Sequence, residues 1–422
     1  MAMNDTASGY IASMTTRVVL VTGDLPYDNP GHAGGVYAQH VHLLAAANAS
    51  VTVIAPDSPS NRLAAAAPGS PERTLLTAYP MVASPQRRAV EAAMFRLDCA
   101  LRLRLIGLPS YFICRALLSD SPERRAVQQA DVVDLQWSEA IRLAPIIRRL
   151  NARTRIVGTF HDVKSQVHER LVASDQAATR MRRVNAWQLE KAEQNALERL
   201  DDVVVFSEKD AALLGARTNI RIIRPPLAAE ADRREHAVPP GLVAIMVSAL
   251  SRPENDEAAI WLLTHVWPRV ISAEPDARLR LIGGGASTEL VRLAQQVAGV
   301  ELAGFVETLE PEYARARVAV VPLLRGAGVK FKTIEALVRG VPVVATPVGA
   351  EGIGAAGHYT ACSNDPADLA NGIHLALRDP ASAQRRADEA RQWAIETYGY
   401  DQFFLEVQRS YAVREWTRPA TG

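Results

Sequence analysis

The sequence predicts an α/β protein built from two doubly wound, Rossmann-like domains that face each other across a cleft. Three observations carry this. Short apolar, β-branched runs alternate with helical stretches along most of the chain, the pattern of parallel strands joined by crossover helices. The alternation breaks at a charged segment bounded by proline pairs and then restarts. The 422 residues also exceed what one hydrophobic core usually serves.

The first half opens on the strand "RVVLVT" (Arg17 to Thr22), followed by the glycine loop "GDLPYDNPGHAGG", the helix "VYAQHVHLLAAAN" and a second strand, "VTVIAP". Further strands are expected at "DVVDLQ", "RIVGTF", "DVVVFS" and "IRII", with a long helix ending "NAWQLEKAEQNALERL". "RPPLAAEADRREHAVPPG" (Arg224 to Gly241) has the composition of a linker. The second half repeats the scheme with "LVAIMVSAL", "ARLRLIGGG", "VELAGF", "RVAVVPL" and "VPVVAT", and the tail "YDQFFLEVQRSYAVREW" is helical. The expected division is therefore 15–223 for an acceptor-side domain, 224–241 for the linker, 242–397 for a donor domain, and 398–422 for a helix crossing back to the first domain.

Composition narrows the class. Hydrophobic residues make up 48% and charged residues 22%, as in globular chains. A net charge of +1 gives no global attraction for nucleic acid. Cys99, Cys114 and Cys362 are odd in number and widely spaced, which fits neither a disulfide framework nor a zinc knuckle and suits a reducing cytoplasm. The first residues lack a basic cluster followed by an apolar run, so a signal peptide is not expected. No stretch approaches the ~20 apolar residues of a membrane span. Residues 87–115 carry six arginines and two acids among apolar residues. They read as an amphipathic helix packed on the first sheet, with peripheral contact to the inner membrane face as the alternative.

In sheets of this kind ligands bind beyond the carboxyl ends of the strands, so the loops there hold the candidates. "RGAGVKFKTIEALVRG" joins Arg325, Gly328, Lys330 and Lys332 to the start of a helix, whose free N–H groups favour an anion such as a diphosphate. Glu335 lies one turn inside, three residues after Lys332, and can face the same site. There it would accept from the paired hydroxyls of a ribose; the plainer alternative is a helix-surface pair with Lys332 or Arg339. Gly349 belongs to the next glycine loop. Gly34 and Gly35, in "GHAGG", precede a helix and would let its N-terminus approach phosphate or acceptor. His161, in "GTFHD", can donate to a sugar hydroxyl with Asp162 orienting it, or serve only as a strand-end histidine beside a capping aspartate. Gly284, in "LIGGG", lacks the spacing and distant acid of a dinucleotide fingerprint. Phe305 is read as a ring near a base or as core. Ser207, with Asp210 three residues on, reads as a helix cap.

The run K-x-x-E-A-L-x-x-G-x-P-V-V-A-T with its following glycine loop resembles the family 4 glycosyltransferases, which are retaining enzymes of the GT-B fold. The resemblance extends to Gly34-Gly35, His161-Asp162, the run ending at Ser207 and the LIGGG loop. It implies that Glu335 holds the nucleotide ribose, that Arg252, Arg325, Lys330 and Lys332 hold the diphosphate, and that His161 contacts the transferred sugar. It also implies a nucleotide-diphosphate sugar as co-substrate, with a glycan, lipid-linked or small-molecule hydroxyl as acceptor. No cofactor and no metal are expected, because D-x-D is missing from the sequence and the cations can neutralise the leaving group.

Three positions depart from the family pattern. Ala327 stands where many members have a second glutamate, and Ala249 and Asn255 stand where many have arginine and lysine. Arg325, Lys330 and Lys332 are expected to supply the lost charge, with Arg252 as a partial substitute. Two other readings fit the same architecture: a non-hydrolysing nucleotide-sugar 2-epimerase, which needs acid/base carboxylates in the cleft, and a non-catalytic nucleotide-sugar-binding relative.

Overall fold

The computed structural model describes residues 16–25, 33–67, 70, 73–77, 93–94, 96–98, 109–163, 166, 180–215, 217–227, 238–326 and 328–418. Most of the 87–115 segment, the middle of the linker, His32 and Ala327 lie outside the described residues.

The first sheet contains β1 (Arg17–Val21), β2 (Ser50–Pro56), β3 (Thr74–Thr77), β4 (Val132–Gln136), β5 (Arg155–Thr159), β6 (Asp202–Val205) and β7 (Ile220–Ile222). Their order is β3-β2-β1-β4-β5-β6-β7, and every pairing is parallel. The second sheet contains β8 (Val243–Val247), β9 (Arg278–Ile282), β10 (Val300–Gly304), β11 (Val318–Val321), β12 (Val343–Ala345) and β13 (Ala361–Cys362). It runs β10-β9-β8-β11-β12-β13, also parallel. Strand order reverses between β1 and β4 in one sheet and between β8 and β11 in the other. Those two switch points are where doubly wound sheets open a crevice for ligands.

The central strands are covered on both faces. All residues of β4, β6 and β11 are buried, which is why they are rich in valine without an apolar–polar alternation, Asp134, Gln136 and Asp202 being the buried polar exceptions. The strands that the apolar pattern leaves undetected, β3 and β13, are short sheet-edge strands with partly exposed residues. The helical run around Trp261 and Trp267 contains a π-helical turn, Leu262–Val266. Trp267 is fully buried and donates from Nε1 to Ala298 O at 3.0 Å. Ser207 caps the helix Glu208–Leu214 by accepting from Asp210 N.

Three helices contribute residues to the cleft, α1 (Ala33–Asn48), α2 (Pro253–Trp261) and α3 (Phe331–Val338), and α4 (Tyr400–Tyr411) comes after them in the chain. The last lies against the first sheet although it follows the second in the chain. Phe403, Val407, Tyr411 and the following Trp416 share one buried cluster with Val18, Leu20 and Val53. Arg155 Nε donates to Ser410 O at 2.6 Å, and Asn48 Nδ2 to Thr417 O at 2.8 Å. No described helix is long and apolar enough to cross a membrane.

Candidate active site

The carboxyl ends of both sheets open on one cleft of about 1330 Å³. That exceeds the ~300–1,000 Å³ of a single small-ligand pocket, leaving room for two reactants. Gly34, Trp137, His161 and Asp162 line it from the first domain; Ser248, Arg252, Phe305, Lys330 and Glu335 are among those lining it from the second.

The cations gather at the β8–β11 switch point. Lys330 is the residue before α3, buried but for 8% of its side chain; its Nζ donates to Gly328 O at 2.5 Å and lies 3.8 Å from Glu351 Oε2. Lys332, in the first turn of α3, turns away from Glu335. Its Nζ donates to Ser248 Oγ at 2.6 Å and to Asn255 Oδ1 at 2.7 Å. Burial, and then the positive charges of Lys330 and Arg252, press the Lys332 amine down to about 7. An ammonium held there unpaired is costly, so this end of the cleft is electrostatically prepared for an anion. Arg252 precedes the first turn of α2 and is exposed. Arg325 lines the same cleft but is paired with Glu257, Nε to Oε2 at 2.5 Å.

Glu335 lines the cleft and is also held by its own helix. Arg339 Nη1 lies 3.2 Å from its Oε1, and Tyr313 Oη donates to its Oε2 at 3.4 Å. The Arg339 guanidinium stacks over the Tyr313 ring at 4.7 Å. The sequence placed Glu335 either at a ligand or in a helix-surface pair with Lys332 or Arg339; the structure gives it the Arg339 pair and a cleft-facing position together. Of the two partners the plainer alternative offered, Arg339 is the one found, because the Ser248 hydroxyl after β8 and the Asn255 amide in α2 hold the Lys332 amine.

Across the cleft, His161 follows β5 and is 4% exposed. Its Nε2 lies 2.6 Å from Gln136 Oε1, so the partner on this nitrogen is Gln136 rather than Asp162. Trp137 stacks on the ring at a centroid distance of 3.8 Å and 13° between planes. Trp137 itself adopts φ +78, a conformation uncommon for a bulky residue and of the kind that clusters at functional sites. Gly34 sits in the first turn of α1, and a side chain there would overlap His161 Nδ1 and the Trp137 ring. Glycine at 34 is thus what lets helix, histidine and indole meet.

Gly328, with φ +68, faces the first domain: a Cβ there would overlap the Asp162 carboxylate. The loop before α3 and the one after β5 therefore meet across the cleft. Phe305, read from sequence as base contact or core, is 76% exposed and lines the cleft beside Gly284. The core alternative is excluded. Gly35 and Gly349 are buried and are not among the described lining residues. Gly349 instead ties a turn, donating to Thr346 Oγ1 at 3.1 Å and accepting from Thr333 Oγ1 at 2.8 Å. Trp137, Gln136 and Ser248 went unmarked in the sequence, although all three stand at the carboxyl ends of strands beside a switch point. Among the described residues, no group of three or more His, Cys, Asp or Glu is placed to hold a metal ion.

Comparison with known proteins agrees with this geometry. Residues 241–379 match the family model for glycosyl transferases group 1. An uncharacterized 44.6 kDa protein in the cps region of Klebsiella pneumoniae is 29% identical over 171 residues, or 39% of this chain and 44% of that protein. The match thus spans less than half of that relative. Among solved structures, Anabaena HepE in complex with UDP and glucose superposes with a TM-score of 0.63 at 14% identity, covering 94% of this chain and 99% of that one. Sucrose-phosphate synthase from Thermosynechococcus elongatus gives 0.63 at 19% identity, over 94% and 98%. At such identities the likeness is one of fold, and the fold is GT-B. Within that fold, residues 241–379 are the segment that matches the group 1 glycosyl transferases.

Proposed function

We propose that the protein is a retaining, metal-independent glycosyltransferase of family 4. It would move a sugar from a nucleotide-diphosphate donor to a hydroxyl of a glycan, lipid-linked or small-molecule acceptor. The observation that carries this reading is the convergence of Lys330, Lys332, Arg252 and the N-terminus of α3 at one end of an interdomain cleft. These groups suit the charge that develops on a departing diphosphate. The proposed residue roles follow from position. Phe305 offers a ring face to the base, Glu335 accepts from the ribose hydroxyls, and His161 faces the transferred sugar from the opposite wall.

In the proposed reaction the bond between the anomeric carbon and the β-phosphate oxygen breaks while the acceptor oxygen bonds that carbon on the same face. The acceptor proton passes to the phosphate oxygen, giving nucleoside diphosphate and glycoside. Preorganised cations stabilise the leaving group without any nucleophile on the protein. HepE, a fold neighbour, was solved with UDP and glucose, which supports a UDP-sugar as the first donor to try.

The test is a panel of UDP-, GDP- and ADP-sugars, read by thermal shift and by transfer or slow hydrolysis, with EDTA present throughout. A donor at 100 times its dissociation constant should stabilise the fold by about 2.7 kcal/mol. Turnover lost in EDTA and restored by magnesium or manganese would refute the metal-independent mechanism. Epimer formation, or binding without turnover, would refute the transfer itself.

A further inference from the structure

A line of buried polar groups runs from His161 to the far end of the chain. His161 Nε2 lies 2.6 Å from Gln136 Oε1, and Gln136 Nε2 donates to Asp134 Oδ2 at 2.7 Å. Tyr411 Oη, from α4, donates to the same Asp134 oxygen at 2.5 Å, and Thr159 Oγ1 lies 3.4 Å from Oδ1. Asp134 is fully buried, and Gln136 and Tyr411 nearly so. Asp134 and Gln136 sit on β4, beside the switch point of the first sheet, while Tyr411 arrives from a helix 277 residues later in the chain.

The direction of this line follows from the chemistry of a primary amide, which has one donor end and one acceptor end. A carboxylate oxygen accepts from Tyr411 and needs a second donor, so the Gln136 NH₂ faces it. The opposite amide orientation would set a carbonyl oxygen against the carboxylate with no proton between them. With NH₂ toward Asp134, the carbonyl faces the imidazole, and His161 Nε2 must carry the proton. The neutral ring then holds its lone pair at Nδ1, on the side of Gly34 and the first turn of α1.

We propose that Gln136 and Asp134 are positioning residues that fix the proton of His161 on Nε2, with Tyr411 anchoring the pair from the C-terminal helix. This rests on the reading of His161 as a site residue. The stacked Trp137 sets the plane of the ring, and the Asp134–Gln136 pair sets which nitrogen is protonated. In the neutral ring the remaining nitrogen, Nδ1, is then the acceptor. The sequence reading had assigned it a donating role toward a sugar hydroxyl; this arrangement gives that role to Nδ1 only in the doubly protonated ring.

Two-bond ¹H–¹⁵N spectra of the full-length protein with ¹⁵N-labelled histidine test this directly, the His161→Gln variant identifying the signal. The wild-type ring is expected to be the Nε2–H tautomer. Asp134→Asn removes the anionic acceptor that orients Gln136, and Gln136→Leu removes the carbonyl; both should abolish the preference for Nε2–H. Turnover should fall on the order of 10-fold, with the donor KM little changed. Tyr411→Phe should keep the tautomer, because Gln136 and Asp134 remain. A wild-type ring protonated on Nδ1 overturns the proposal without any variant. So does an unchanged tautomer in folded Asp134→Asn and Gln136→Leu proteins. A tautomer that shifts as expected with unchanged turnover leaves the relay standing and refutes the role given to His161 in sugar transfer.

Discussion

Lys332 Nζ donates to Asn255 Oδ1 at 2.7 Å, so the amine of an α3 lysine reaches the first turn of α2. Asn255 stands where the family resemblance led a lysine to be expected. The charge missing from that position is thus delivered to the same place from a neighbouring helix. Because the amine is pressed down to about 7 by burial, Lys330 and Arg252, binding a diphosphate should restore its proton. Calorimetric titration with UDP at pH 8, in buffers of different ionisation enthalpy, is expected to show uptake approaching one proton. Affinity should fall as pH rises above 7. Stability of the free protein should move the opposite way, rising between about pH 7 and the ordinary lysine value near 10.4, because there the unfolded chain binds more protons. A Lys332→Met protein should show neither effect.

Lys330 is expected to act mainly in the transition state. Lys330→Ala should lower turnover on the order of 100-fold, by analogy with removal of single electrostatic donors, while nucleoside binding changes little. Arg252→Ala, at an exposed position, should be milder. Initial-rate kinetics on both variants decide between them, and a severe Arg252 effect beside a mild Lys330 one would return the phosphate contact to the β8 loop.

Glu335→Ala should weaken UDP binding by about 1.5–3 kcal/mol, the worth of a charged hydrogen bond, and largely stop turnover. The Arg339 guanidinium retains Glu310 at 3.0 Å, so the melting temperature should change little. Wild-type binding by the variant would leave Glu335 as a helix-surface partner of Arg339 alone.

Phe305→Ala should raise the dissociation constant for UDP without slowing transfer at saturation. Stacking of a base on an aromatic ring contributes roughly 1–3 kcal/mol. The side chain is exposed, so its loss should not destabilise the fold, and Phe305→Tyr should bind like wild type.

Gly328→Ala should be disproportionately harmful for one methyl group. The position has φ +68, and the added carbon meets the Asp162 carboxylate. Backbone strain of this kind costs on the order of 1–3 kcal/mol, and the two loops would be pushed apart. Turnover and melting temperature should both fall, and Asp162→Gly in the same chain should recover part of the loss if the collision is the cause.

Much of the architecture was legible because buried parallel strands have a distinctive composition. Runs such as Val132 to Gln136 and Val318 to Val321 stand out by their valines, whereas β3 and β13 are short edge strands that bury too little to leave a pattern. The site was legible where chemistry and position coincide, as at Lys330 and Glu335. It was not legible where a contact depends on which way a side chain turns. Lys332 is three residues from Glu335 and was, with Arg339, one of two candidate partners for it, yet Ser248 and Asn255, far away in sequence, hold it. Gln136 and Trp137 look like the end of one strand and the start of the next helix; only the folded chain brings them to His161.

The return of α4 to the first domain sets an order of assembly. Phe403, Val407, Tyr411 and Trp416 complete the core that Val18, Leu20 and the α1 residues Tyr37, Val41 and Leu44 begin, so during synthesis the part of that face which α1 leaves open must wait for nearly the whole chain to emerge. At ~5–20 residues per second, the 383 positions from Leu20 to Phe403 keep that remaining apolar surface uncovered for roughly 20–80 s. Expressed alone without residues 400–416 the first domain should aggregate, and supplying that helix as a separate peptide should restore its solubility.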